Sequence, residues 1–344
     1  MRIAIAHNAV SGEGAPDERD VLVQVAAVQE ALAELGHATV VWPCTLNLAG
    51  LQAHVLEWRP DLVFNLVESL AGCGRLIHLA PALFDALGVP YTGSTAEAIQ
   101  ATSHKVFAKE RLTALGLPTP AWIGPVPADL PRLSPAGILT AEPSERWIVK
   151  SVWEHASIGL DETAPLLCEH ANEVLARLRE RAPHLGGACF AERFIEGREF
   201  NLSLLAGPSG PEVLSPAEIV FEGYPPEALR IVGYRAKWDD SSYEFHHTPR
   251  RFDFPTQDAD LLKRLTVLAV QCWRGFGLNG YARVDFRVDN AGTPWILEIN
   301  TNPCLSPDAG FAAALQASDI PFTTAIARIL ADTHLNTIPQ TQGR

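Results

Sequence analysis

Residues 281–300 read YARVDFRV, DNAG and TPWILEIN, and they constrain the chain more than any other stretch. Two runs rich in β-branched and aromatic residues flank a turn sequence, which specifies an antiparallel hairpin. The reading pairs Val288 with Thr293, so Arg283 faces Glu298 and Asp285 faces Ile296. Strand side chains alternate between faces. Arg283, Asp285, Glu298 and Asn300 therefore share one face, and Val284, Phe286, Leu297 and Ile299 share the apolar other. Two accounts of the polar face stay open at this point. Two carboxylates and a carboxamide offer the hard oxygens that suit Mg²⁺. The same residues also make a solvated face with a cross-strand Arg–Glu pair.

The rest of the chain supplies context. Its 344 residues exceed one typical core and predict two or three lobes. A net charge of −13 makes it a poor partner for nucleic acid or an anionic membrane. MRIAIAHNAV has no signal-peptide apolar core, and no run is long enough to span a bilayer. The cysteines at 44, 73, 168, 189, 272 and 304 form no CxxC pair. That spacing predicts reduced thiols in a cytoplasm, acting as small core hydrophobes at every position but Cys304.

RIAIAHNAV (2–10), a helix over 17–36 closed by Gly36, HATVVW, PDLVFNLV (60–67) and a helix near 76–87 alternate strand with helix. This order predicts a parallel sheet with helices on its faces, and ligands at the strand carboxyl ends. Asn8, Glu18, Glu68 and Gly93 lie near those ends. A second unit starts with a helix over 103–116, passes a Pro/Ala/Leu-rich loop (125–143), and contains the strand RWIVKSV and a helix. GGACFAERFIEG opens a third region, which holds strands near 199–206 and 212–221, an irregular stretch (222–256), a helix (258–275) and the hairpin.

Lys150 ends an apolar strand and precedes a loop with Ala156, Ser157 and Gly159, whose backbone N–H groups could meet phosphates. Lys105 and Lys237 are lysines of the kind usually found solvated, and a nucleotide site would require them to converge. In AERFIEGREFNLSL (191–204), Glu192 and Glu199 flank a turn at Gly197. They are either acceptors for a nucleotide's amino and hydroxyl groups or an exposed acidic hairpin.

Taken together, VFNLVE, VPYTGS, SHKVFAK, RWIVKSVWEHASIG, ERFIEGREF, YRAKW, ARVDFRV and LEINTNPCLSPDAG resemble the ATP-grasp superfamily, and within it the D-alanine–D-alanine ligase-like proteins. The motifs run in the family's order over nearly the whole chain. The resemblance implies an α/β protein, α+β in its later lobes, with a Rossmann-like parallel-sheet lobe (1–98), a central ATP-grasp lobe (99–186) and a C-terminal lobe (187–335). It implies Mg²⁺-ATP, with two ions or Mn²⁺ in their place, and phosphorylation of a carboxylate to an acyl phosphate that an amine attacks. By position, Lys105, Lys150 and Lys237 would hold phosphates, with Ser157 in the phosphate loop. Glu192 and Glu199 would meet adenine and ribose, and Ala191, Arg193 and Ile195 would line the adenine slot. Asp285, Glu298 and Asn300 would ligate the metal, and Arg283 would stabilise charge at the attacked acyl group. Glu18 would hold the first substrate's ammonium, and the 222–256 stretch would be the lid. Small amino-acid or dipeptide-like substrates and a homodimer through the first lobe are implied as well.

The chain departs from the family pattern on the amino-acid side. Ala156 stands where the family has serine, Trp238 where it has the lid tyrosine, and Glu68–Ser69 where it has His-Gly. Cys304 and Ala309 occupy the places of a glycine and a serine that bind the second substrate's carboxylate. An unaltered ATP half beside an altered amino-acid half predicts a carboxylate–amine ligase on another substrate pair, with Glu68 and Asp308 either meeting an extra ammonium or simply solvated. The alternatives are an authentic D-alanine–D-alanine ligase and a non-catalytic nucleotide-binding protein.

Overall fold

The computed structural model describes residues 1–10, 15–126, 145–154, 160, 165–168, 171–225 and 228–333. The expected phosphate-loop residues Ala156, Ser157 and Gly159 lie outside them, as does 127–143 of the expected loop. No helix among the described residues is long and apolar enough to cross a membrane.

The first lobe runs β1 (Arg2–Asn8), α1 (Pro16–Glu34), β2 (Ala38–Cys44), α2 (Leu48–Trp58), β3 (Leu62–Leu66) and α3 (Leu79–Leu87). The strands form the expected parallel sheet in the order β2-β1-β3. From Ile3 onward β1 is buried, as a strand covered on both faces must be. Pro16 in the first turn of α1 and the acids Asp17 and Glu18 suit its start, while Gly36 at φ 77° ends it. Val21, Val25, Val28 and Leu32 recur at helical spacing and pack on the sheet core. The ends of β1 and β3 are tied, since Glu68 N donates to Asn8 Oδ1 at 3.3 Å.

The helix expected over 103–116 is two helices, α4 (Ala96–Ser103) and α5 (Lys105–Ala114). His104 breaks the run: its φ, ψ of −80°, 95° is extended, and its Nδ1 accepts from Phe107 N at 3.0 Å as the cap of α5. Then come β4 (Trp122–Val126), β5 (Glu145–Ser151), β6 (Pro165–Cys168), α6 (Ala171–Arg181) and β7 (Cys189–Arg193). These strands build an antiparallel sheet in the order β4-β7-β5-β6. The division expected at 98/99 falls inside α4, and β7 pairs with the central strands although it follows residue 187.

The third region holds β8 (Gly197–Leu205), β9 (Glu212–Val213), β10 (Ala217–Ile219), α7 (Tyr234–Trp238), α8 (Tyr243–His246), β11 (Arg250–Arg251), α9 (Ala259–Phe276), β12 (Tyr281–Asp289), β13 (Pro294–Asn300), α10 (Gly310–Ala317) and α11 (Phe322–Ala331). The stretch expected to be irregular thus contains α7, α8 and β11. The sheet order is β11-β10-β8-β12-β13, with β9 on β8. Leu261, Leu265, Ala269, Cys272 and Phe276 of α9 seal its apolar face. Each large apolar side chain so buried contributes roughly 1.5–3 kcal/mol.

The hairpin forms with a different register from the one expected. Val288 pairs with Pro294, Asp285 with Glu298 and Arg283 with Asn300. Two causes are visible. Asp289 Oδ1 accepts from Ala291 N (3.0 Å) and Thr293 N (2.8 Å), which draws Thr293 into the turn. Between Asp285 and Phe286 the register then slips, leaving Leu297 opposite no partner. Ile296 and Ile299 consequently join the core, and Leu297, expected there, lines the cavity instead.

Candidate functional site

A cavity of about 520 Å³ opens where the three lobes meet. Every expected site residue lines it except Glu18, the undescribed Ser157, and Ala191, whose side chain is buried in the core of the central lobe instead. Strand geometry sets its floor. Arg283 and Asp285 on β12 and Glu298 and Asn300 on β13 do share the cavity side, because the slip at Leu297 falls between Glu298 and the turn.

Asp285 is the most tightly held member. Arg283 Nε donates to its Oδ1 at 2.7 Å and Arg283 Nη2 to its Oδ2 at 2.9 Å. Asn300 Nδ2 adds a contact at 3.2 Å, and Asn201 Nδ2 one at 2.8 Å from the facing position on β8. Burial disfavours the charge on Arg283, but Asp285 and then Glu298 outweigh it and hold its pKa above the ordinary arginine value.

Glu298 sits in the field of five cations, namely Lys105, Lys109, Lys150, Lys237 and Arg283. Lys105 opens α5 and donates to Glu154 O at 2.5 Å. Loss of hydration pulls Lys105 and Lys237 below the usual lysine pKa, against the pull of Glu298, with like charges nearby lowering them further. Lys150 is also desolvated, but Glu192 and Glu298 more than compensate and raise it. So many ammonium groups around few carboxylates leave a strong demand for anionic oxygen, which a polyphosphate supplies.

The two glutamates expected to meet a nucleotide's base and sugar are each held by a cation of the chain. Glu192 is buried between Lys109, at 2.6 Å, and Lys150. Lys109 also donates to Thr119 Oγ1 at 2.8 Å, which itself donates to Ile296 O at 2.9 Å, so this network ties the central lobe to the hairpin. Glu199 pairs with Arg287 at 2.8 Å, and the Arg287 guanidinium lies near the Phe194 and Phe221 rings. Lys109, Arg287 and Asn201 were not singled out from the sequence. Period-two alternation places Arg287 on the face of Arg283 and Asp285, and one helical turn places Lys109 above Lys105, so weak signals for both existed.

On the first-lobe side Asp20, not Glu18, lines the cavity, and Glu18 lies against Gly72. Asp20 accepts from Ser306 Oγ at 2.7 Å, Cys304 Sγ at 2.9 Å and Gln24 Nε2 at 3.2 Å. Cys304 is thus tethered to α1. Burial, then the Glu68 and Asp20 carboxylates, raise its thiol pKa far above the ordinary value, which suits a structural thiol rather than a nucleophile. Burial likewise lifts Glu68 to about 7; a hydrogen bond from Gln24 opposes this, and Asp20 and Asp17 reinforce it. Trp238 does not supply the expected tyrosine, but Tyr234, one turn earlier on α7, donates to Asp17 Oδ1 at 2.8 Å.

The donor set fits Mg²⁺. Asp285 and Glu298 face each other across the hairpin, with Asn300 beside them. Among the described residues no three His, Cys, Asp or Glu side chains form a protein-only metal cage. Mg²⁺ asks for one or two carboxylates and completes its shell with water and substrate phosphate.

Residues 112–331 match the family model described as D-ala D-ala ligase C-terminus. The D-alanine–D-alanine ligase of Gloeobacter violaceus is 32% identical over 331 residues, covering 96% of this chain and 98% of its own. That of Methylococcus capsulatus is 32% identical over 281 residues, 81% of each chain. The fold resembles the crystal structure of the Bacillus anthracis D-alanine–D-alanine ligase complexed with ATP, with a TM-score of 0.70 at 20% identity and coverage of 96% and 97%.

Proposed function

The chain belongs to the D-alanine–D-alanine ligase family, and from that premise we propose that it joins an amino-acid-like carboxylate to an amine, at the cost of ATP, with an acceptor site altered from that of its relatives. One observation carries the reading: Lys105, Lys150, Lys237 and Arg283 converge on the Asp285–Glu298–Asn300 face of the hairpin.

Phosphoryl transfer asks a protein mainly for positioning and charge neutralisation. Lys105, Lys150 and Lys237 would neutralise the phosphates. Leu297, Ile195 and the Arg193–Ile195 backbone offer a slot for the base. Asp285, Glu298 and Asn300 would hold the divalent ions, two Mg²⁺ or Mn²⁺ in their place, which supply further neutralisation of the phosphate oxygens. The substrate carboxylate attacks the γ-phosphorus, the bond to ADP breaks, and an acyl phosphate results. The amine, as its free base, then attacks the acyl carbon, and the oxyanion collapses to an amide as phosphate leaves, taking up the proton that the nitrogen sheds. Arg283, within reach of this face, stabilises the oxyanion.

A second reading, that D-alanine serves as both acid and amine, is favoured by the names of the relatives. Cys304 and Ala309, which stand at the acceptor end of the site, favour another amine. A panel of amino acids and dipeptides, scored by phosphate release and product mass, separates the two. D-alanine alone giving its dipeptide at full rate supports the second reading. Release that needs a different amine supports the first.

A further inference from the structure

Strand β11 is two residues long, and its arginines face opposite ways. Arg251 pairs with Glu218 of β10, which is also held by Arg198 at 2.7 and 2.8 Å. Arg198 in turn clamps Asp258 at 2.9 and 2.8 Å. This ladder of four charged side chains fixes the strand on one side. By alternation Arg250 turns to the other, where it lines the cavity with Arg283, Cys304, Asp308 and Gly310.

The two guanidinium groups there differ in their partners. Arg283 is engaged by Asp285 at 2.7 Å. Arg250 donates only to a neutral carbonyl, Asp308 O, at 3.3 Å, and no carboxylate lies within ion-pairing distance of it among the described residues. Its Nε lies 3.3 Å from where a Cβ on residue 310 would stand, so glycine at 310 gives it room. Loss of hydration and repulsion from Arg283 both pull its pKa below the ordinary arginine value, with Asp308 and Cys304 opposing. Ala309 has no donor in its side chain, and the Cys304 thiol is directed to Asp20. An anion seated against Arg250 would relieve the repulsion and gain a charge-assisted hydrogen bond.

We propose that Arg250 is a specificity-determining residue, which holds a carboxylate carried by the amine substrate at the 304–310 side of the cavity. This rests on the ligase reading, in which that side faces the acceptor. The chemistry it selects is an amine with its own carboxylate, such as a free amino acid, over the same amine with that group neutralised.

The test gives wild type, Arg250→Ala and Arg250→Lys ATP, Mg²⁺ and the amino-acid panel, with each amine supplied as free acid and as carboxamide. Phosphate release and product mass are the readouts, and ATP affinity reports an intact nucleotide site. Wild type should prefer the free acid. Arg250→Ala should lose roughly 30-fold in kcat/KM with the free acid, mostly through KM, and change little with the carboxamide. Arg250→Lys should recover part of the loss, and ATP affinity should stay the same in all three. Equal losses on both forms, or an unchanged preference, would overturn the proposal. Wild type releasing no phosphate with any pair would instead overturn the ligase reading, and this proposal with it.

Discussion

Tyr234 donates a 2.8 Å hydrogen bond to Asp17 Oδ1 across 217 residues of chain, joining helix α7 to the first turn of α1. Lys237, which lines the cavity, lies one turn further along the same helix. Burial and then Asp17 raise the Tyr234 pKa to about 12, so the phenol keeps its proton to donate. Tyr234→Phe removes one charge-assisted bond, roughly 1.5 kcal/mol. We predict a fall of about tenfold in kcat/KM for the acid substrate, with ATP affinity unchanged. An unchanged kcat/KM would show that the bond does not help assemble the site.

Glu68 couples stability to pH. Its carboxyl is raised to about 7, first by burial, so the folded state holds its proton more tightly than the unfolded state does. The unfolded chain therefore binds fewer protons, and stability falls as pH rises from the ordinary carboxylate range through about 7. Glu68→Gln keeps the acceptor for Gln24 and removes the titration. It should stabilise the protein by on the order of 2 kcal/mol at about pH 8 and by little near pH 4. Urea unfolding at both pH values measures this, and a stabilisation independent of pH would refute it.

Glu192 is the shared anion of Lys109 and Lys150. Glu192→Gln leaves two buried ammonium groups without it and should cost about 3–5 kcal/mol. Lys109→Met leaves Glu192 paired with Lys150 and should cost less. Denaturant midpoints of the two variants decide the order, and a Lys109→Met loss as large as that of Glu192→Gln would contradict the shared-anion account.

Periodicity made the first lobe legible. The alternation of buried strands with Gly-terminated helices such as α1 gave its sheet, and the hairpin's composition gave its polar face. Register was less legible, because it depends on side-chain hydrogen bonds. Asp289 lengthens the turn, and one slip moves Leu297 from core to cavity. Lys105, Lys150 and Lys237 could be named but not brought together by spacing, since they come from α5, β5 and α7. Partners of charge were the least visible. Lys109 for Glu192, Arg287 for Glu199 and Asp20 for Cys304 are contacts made only by tertiary packing.

The central claim is that the hairpin face serves Mg²⁺-ATP chemistry, and Glu298 tests it most directly. Glu298→Gln keeps size and shape but removes the charge that five cations share. The measurement is Mg²⁺-dependent phosphate release with a substrate pair that wild type accepts. The account predicts a loss of about 10²–10³ in kcat, the scale seen when a preorganised electrostatic group is removed. Turnover at the wild-type rate would contradict it.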